Sequence, residues 1–153
     1  MTCPGRRAAV DWLVSVAPDP AACRRRWAHN PRAVVPLPAG RRWDVLITPD
    51  VLGRAALDVL VRLVGRPGPV LDGLGGARIG FFVPAGAAAH WVGTGLSTAG
   101  PGAWIGAPHP RRVAEGGVRW LVPPDGTGTL TDAALLELVL HEAVAQRRDE
   151  GDR

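Results

Sequence analysis

The chain has 153 residues, 46% hydrophobic and 21% charged, a balance that suits one globular domain with a real core and excludes a disordered chain. The net charge is +4 and every one of the 18 basic residues is Arg, so the absence of Lys excludes a P-loop, a kinase-type lysine and Schiff-base chemistry on a side-chain amine. Cys3 and Cys23 form no CxxC pair, no run approaches the roughly 18 apolar residues of a membrane span, and Asp11 interrupts the apolar stretch behind Arg6 and Arg7, against a signal peptide; a reducing cytoplasm is the expected compartment.

Val10, Leu13, Val14 and Ala17 at helical spacing predict a helix over Arg7 to Ala17, broken by Pro18 and Pro20. Asp19 is set to cap a second short helix that begins on Pro20 and runs to about His29. Ala33 to Leu37 reads as a strand, and as an edge or strand end because it contains Pro36. Trp43 to Thr48 reads as a buried strand on its run Val45-Leu46-Ile47. Asp50 is expected to cap a helix whose Val51, Leu52, Ala55, Ala56, Val59, Leu60 and Leu63 form one apolar stripe, with Gly65 as its stop. Val70-Leu71 and Arg78 to Val83 predict two strands joined by the turn Asp72 to Gly76, followed by one or two helical turns over Gly86 to Val92 and a loop of small residues over Gly93 to Gly102. Further strands are expected at Ala103 to Ala107 and Val118 to Val122, and Thr131 is expected to cap a last helix to about Arg148 with Leu136, Val139, Leu140, Ala143 and Val144 facing the core. The expected architecture is one α/β (α+β) domain over residues 1–148, with a helical part at 1–30, a sheet core at 31–130 built on a central mixed sheet with flanking helices, a C-terminal helix at 131–148 and a frayed tail at 149–153.

Motifs that would declare an enzyme are incomplete. His141-Glu142 opens an HExxH pattern, but the second ligand position is Ala145. Gly73, Gly75 and Gly76 lack the third glycine of GxGxxG, since position 78 is Arg, and a tight hairpin is the simpler reading. Gly95-Leu96-Ser97-Thr98-Ala99 approaches the GxSxG elbow, but Gly100-Pro101-Gly102 follows where a helix must start. No CxxC supports a zinc deaminase, and Asp44, Asp50, Asp58, Asp72 and Asp125 are scattered rather than paired as D-x-D. The six tryptophans stand beside two Phe and no Tyr, so most are expected in the core; Trp104 and Trp120, on strands, also suit a base-stacking platform.

The order of elements and several local strings resemble the bifunctional primase-polymerase domain of the archaeo-eukaryotic primase superfamily. Trp27 with Asn30 to Val35 looks like that family's tryptophan, proline and first core strand, and Trp43 to Gly53 with Ala56-Leu57 looks like its acidic-motif strand and following helix. Gly75 to Phe81 looks like its glycine-rich turn and histidine-bearing strand, Gly100 to Pro108 like its glycine-rich Gly-Tyr-Val-Val-Ala-Pro segment, and Gly117 to Trp120 like its Tyr-x-Trp strand. The layout, including Leu121 to Gly126, is similar to that of short actinobacterial proteins of this kind. The resemblance covers roughly residues 8 to 124 and implies a shared fold and an ancestral nucleotidyl transfer. Its departures matter more: Ile47 and Pro49 stand at the positions of two metal-binding acids, Arg78 at that of the nucleotide-binding histidine, and Ser97 at that of the third acid. Isoleucine, proline and serine cannot hold the two cations that such chemistry needs, so no catalytic residue, metal or cofactor is expected.

Three readings remain. The preferred one is a non-catalytic module in which Arg41, Arg42, Arg78, Arg111 and Arg112 line the old groove with Trp104 and Trp120 and hold single-stranded or primed DNA. The others are a protein-interaction or regulatory module without nucleic acid, and an active primase-polymerase or other enzyme whose site lies a residue or two away from this alignment, with Asp44 and Asp50 as the nearest acids.

Overall fold

The structure, a computed structural model, describes residues 4–91, 96–111 and 117–151. Helix α1 spans Pro4–Val14 and helix α2 Pro20–His29. The turn between them is fixed as expected, with the Ala22 N–H donating to Asp19 Oδ1 at 3.1 Å and Pro20 at the first helical position. Strand β1 (Val35–Pro38) leaves Pro36 exposed and pairs only with β6 (Trp104–Ala107), the edge position that proline demands.

The remaining strands form one sheet in the order β5 (Ser97–Ala99), β2 (Trp43–Pro49), β4 (Arg78–Pro84), β3 (Val70–Asp72), β7 (Arg119–Val122). The sheet core with flanking helices stands, but every ladder is antiparallel where a mixture was expected. The reason is topological. Helix α3 (Asp50–Val64) carries the chain from β2 to β3 as a crossover that would make parallel neighbours, and β4 returns through a tight hairpin and inserts between them.

The strand alternation splits the core in two. One sheet face, with Trp43, Val45, Phe82, Leu71 and Ala99, packs under the β1–β6 ribbon and α1–α2. The other, with Leu46, Val70, Ile79, Phe81 and Val83, is covered by α3 and by α4 (Ala133–Gly151). The apolar stripe of α3 is narrower than its sequence suggests: Leu52, Ala56 and Leu60 are buried while Val51 and Leu63 face outward, as does Val144 on α4. The helix caps also differ. Asp50 is the first helical residue and caps nothing, because Pro49 still belongs to β2 and the Asp50 N–H donates to Ala77 O. Asp132, not Thr131, accepts from the Leu135 N–H at 2.9 Å; Thr131 is buried, its hydroxyl accepting from the Gly68 N–H at 3.0 Å. Helix α4 runs to Gly151, past the expected end at Arg148. Strand β5 lies within the segment expected to be loop. Among the described residues no helix is long and apolar enough to cross a membrane.

Candidate functional site

The four positions that the sequence resemblance singled out lie close to one another. Ile47 lies opposite Gly80 on one side and Ser97 on the other, and Pro49 lies opposite Arg78. Directly paired residues point to the same side of a sheet, as do residues two apart on one strand. Ile47, Pro49, Arg78 and Ser97 therefore share one face at one end of the sheet, with Ile47 half-buried and the other three exposed. The patch is an aliphatic chain, an imide ring, a guanidinium and a hydroxyl. Ser97 opens an edge strand with the turn Gly100 to Ala103 after it, not the strand-to-helix elbow of a nucleophilic serine.

Of the two acids that a slipped alignment would recruit, Asp44 does not reach this face. Asp44 alternates to the opposite side of β2 and is fully buried. Its Oδ2 accepts the Gly86 and Ala88 N–H groups, both at 2.9 Å, which anchors the 3-10 turn Ala87–Trp91 against the sheet. Asp50 sits in the first turn of α3, where the helix dipole favours a carboxylate. Asp72 neutralises two arginines, Arg54 at 2.8 Å and Arg119 at 3.2 Å. Among the described residues no three His, Cys, Asp or Glu side chains converge on one point that a metal ion could occupy. Cys23 is half-buried, and burial first, then the negative charge of Asp19, raises its thiol above the ordinary value, which disfavours the thiolate.

The arginines and tryptophans separate into two places. Arg41 and Arg42 precede β2, and Trp104 lies opposite Pro38 at the same end of the fold. Arg78 lies at the other end of the β2–β4 ladder, six residue steps from the Trp43–Pro84 pair, or about 20 Å. Arg111 is exposed on the loop after β6, where its N–H donates to His109 Nδ1; Arg112 lies outside the described residues. The expected single arginine groove is thus divided. Trp120 is half-buried, its ring 5.5 Å from Phe82 and its Nε1–H donated to Pro108 O at 3.0 Å, so it struts the β6–β7 loop and offers no open platform. Trp27 is similarly spent, donating to Ala33 O and meeting the His109 ring edge-on.

Trp104 is different. It is 55% exposed. It borders an open cleft of about 290 Å³ whose other walls include Pro38, Gly40, Arg41, Pro101 and Gly102. The short outward stretch of β6 is the local reason: its pattern alternates and Trp104 takes an outward place at the strand end. Arg41 is held by a 2.8 Å bond from Nη1 to Val16 O. Arg41, Arg42, Arg78 and Arg111 have no carboxylate partner among the described residues, whereas Arg24, Arg25, Arg54, Arg66 and Arg119 do. Sequence reasoning grouped Arg41 and Trp104 with arginines that lie elsewhere; that these two line one cleft across two turns had no signal of its own in the linear pattern.

The chain matches no family model, no curated protein and no solved structure.

Proposed function

We propose that this chain is a non-catalytic nucleic-acid-binding domain, cytoplasmic, with the architecture of a primase-polymerase whose metal-holding acids have been replaced. The observation that carries the binding reading is Arg41, without a carboxylate partner among the described residues, lining the same cleft as the exposed indole of Trp104, with the exposed Arg42 next to it in the chain. Guanidinium groups without carboxylate partners keep their donors for phosphate, and an aromatic face accepts a base of any sequence. Support for lost chemistry comes from the Ile47, Pro49, Arg78 and Ser97 patch, which offers no carboxylate to a cation.

Fluorescence anisotropy with labelled single-stranded DNA at two salt concentrations tests the binding reading. Affinity falls steeply as salt rises, and Arg42→Ala lowers the slope of log K against log salt by about one. Arg78→Ala, at the far end of the ladder, has the smaller effect. Absent or salt-insensitive binding refutes the reading. Purified protein with magnesium or manganese, nucleotides and a primed template gives no extension; template-dependent product would return the chain to the polymerases.

A protein-docking role has one observation in its favour, the outward Leu63 and Leu138, 61% and 68% exposed, on the packed helices α3 and α4. It requires association that Leu138→Glu abolishes in sedimentation, with DNA binding absent.

A further inference from the structure

We infer that the cleft beside Trp104 accepts one unpaired nucleobase, stacked on the indole with its phosphate on Arg41, so that the domain selects single strands over duplex. The inference rests on the nucleic-acid reading and narrows it to one ligand class.

Four features of the cleft carry it. First, Trp104 is the only Trp or Phe side chain among the described residues left largely exposed; Trp27, Trp43 and Trp91 are buried. A large apolar face in water is a cost that stacking would recover. Second, the walls are rigid before any ligand arrives. The Ala103 N–H donates to Gly100 O at 3.0 Å across Pro101-Gly102, with Gly102 at φ +90°, the residue signature of a type II turn. The facing turn is closed by the Gly40 N–H on Trp43 O at 2.8 Å, and the two turns are joined by the Ala39 N–H on Ala103 O at 2.9 Å. They touch so closely that a Cβ on Gly40, itself at φ +90°, would stand 2.6 Å from Pro101 Cα. A preformed site spends little binding energy on ordering.

Third, a cation lines the cleft and is held in place. The Nη1 bond to Val16 O fixes the guanidinium of Arg41 and leaves its remaining fork donors without a carboxylate, and none of the residues lining the cleft is acidic. An oriented guanidinium beside an aromatic face fits a planar ring that carries an anion. Fourth, about 290 Å³ is near the small end for ligand sites, which suits one ring and its sugar phosphate. A base inside a duplex has both faces stacked and its edge paired, so it reaches such a cleft only after leaving the helix.

The test compares three probes at low salt: an oligothymidylate, a blunt hairpin duplex with the same number of phosphates, and an abasic oligomer of the same length. Binding is read by anisotropy and by quenching of tryptophan emission. The single strand is expected to bind about ten-fold tighter than either comparator, Trp104→Ala to remove that preference, and Trp104→Phe to keep most of it. Trp104 is exposed, so Trp104→Ala is expected to retain the wild-type thermal midpoint, which separates a lost contact from a lost fold. Equal binding of all three probes, unaffected by Trp104→Ala, overturns the base pocket and leaves phosphate binding standing. No binding of any probe overturns both. Displacement of bound oligothymidylate from the indole by an acidic, proline-containing peptide of higher affinity assigns the cleft to a protein ligand and overturns it as well.

Discussion

The two ends of β2 belong to one strand and one sheet, yet they are finished differently. At the Trp43 end the side chains are packed away from water: Trp43 is buried against Phe82 with ring centroids 4.5 Å apart, and Asp44 is buried on the opposite face under the 3-10 turn. At the Pro49 end the face is half-open, and its side chains are ones that neither grip a cation nor move a proton. The comparison teaches where this chain spends its carboxylates. Asp19, Asp44, Asp125 and Asp132 each accept backbone N–H groups that begin or tighten a turn. These four acids build architecture, and none of them lies in the patch of Ile47, Pro49, Arg78 and Ser97.

The largest expected effect sets the two ends against each other on the same face. Trp43→Ala empties a buried ring and should lower unfolding stability by about 4 kcal/mol, while Ile47→Ala, at a half-buried position, should cost about 1–2 kcal/mol. Urea unfolding of both variants measures the gap. Equal losses would show that the Pro49 end is as tightly packed as the other and would erase the distinction. Trp43→Phe sharpens it: the Trp43 Nε1–H is buried without a partner among the described residues, so removing it offsets part of the lost volume and the cost falls well below that of alanine.

Next comes the buried acid. Asp44→Ala orphans the N–H groups of Gly86 and Ala88 and should cost about 3 kcal/mol, whereas Asp44→Asn keeps an oxygen for them and should cost roughly a third of that. If Asp44→Asn instead matched Asp44→Ala, the negative charge rather than the acceptor geometry would be the essential feature. If both were silent, the two ends of β2 would be equally dispensable.

How much of this was legible in the sequence follows from the same contrast. The apolar run Val45-Leu46-Ile47 announced β2, and Asp19-Pro20 announced the start of α2, because local chemistry decides both. The cluster of Ile47, Pro49, Arg78 and Ser97 was reached through the resemblance, and the register places them on one face. What stayed hidden depends on distant partners. Strand β5 is three residues of Ser, Thr and Ala with no strand signal of its own; it forms because β2 presents a free edge to it. Asp44 read as one of several scattered acids, since the N–H groups that hold it come from residues 86 and 88. The outward face of Trp104 could not be told from the inward face of Trp43, because both open short strands that read alike.

The smallest effect extends the comparison to an exposed turn that works as Asp44 does. Asp125 Oδ1 accepts the Thr127 hydroxyl at 2.6 Å and the Thr127 N–H at 2.9 Å, and Arg66 Nε lies 3.5 Å from Oδ2. The Thr127 hydroxyl, then the Thr127 N–H, with a lesser part from Arg66, hold its carboxyl below the ordinary value of 3.8 against a small opposing effect of burial. A carboxyl whose folded value is depressed contributes stability that is fully present above its unfolded value and is lost as pH falls through the folded one. The difference in urea midpoint between wild type and Asp125→Asn should therefore be constant from pH 7 down to about 5 and shrink below about 4. Thr127→Val, which removes the hydroxyl donor, should move the carboxyl titration followed by NMR back toward the ordinary value. Because water screens this site, the effect should stay well below that of Asp44→Ala; an effect of equal size would mean that burial is not what separates the structural acids of this chain from its solvated ones.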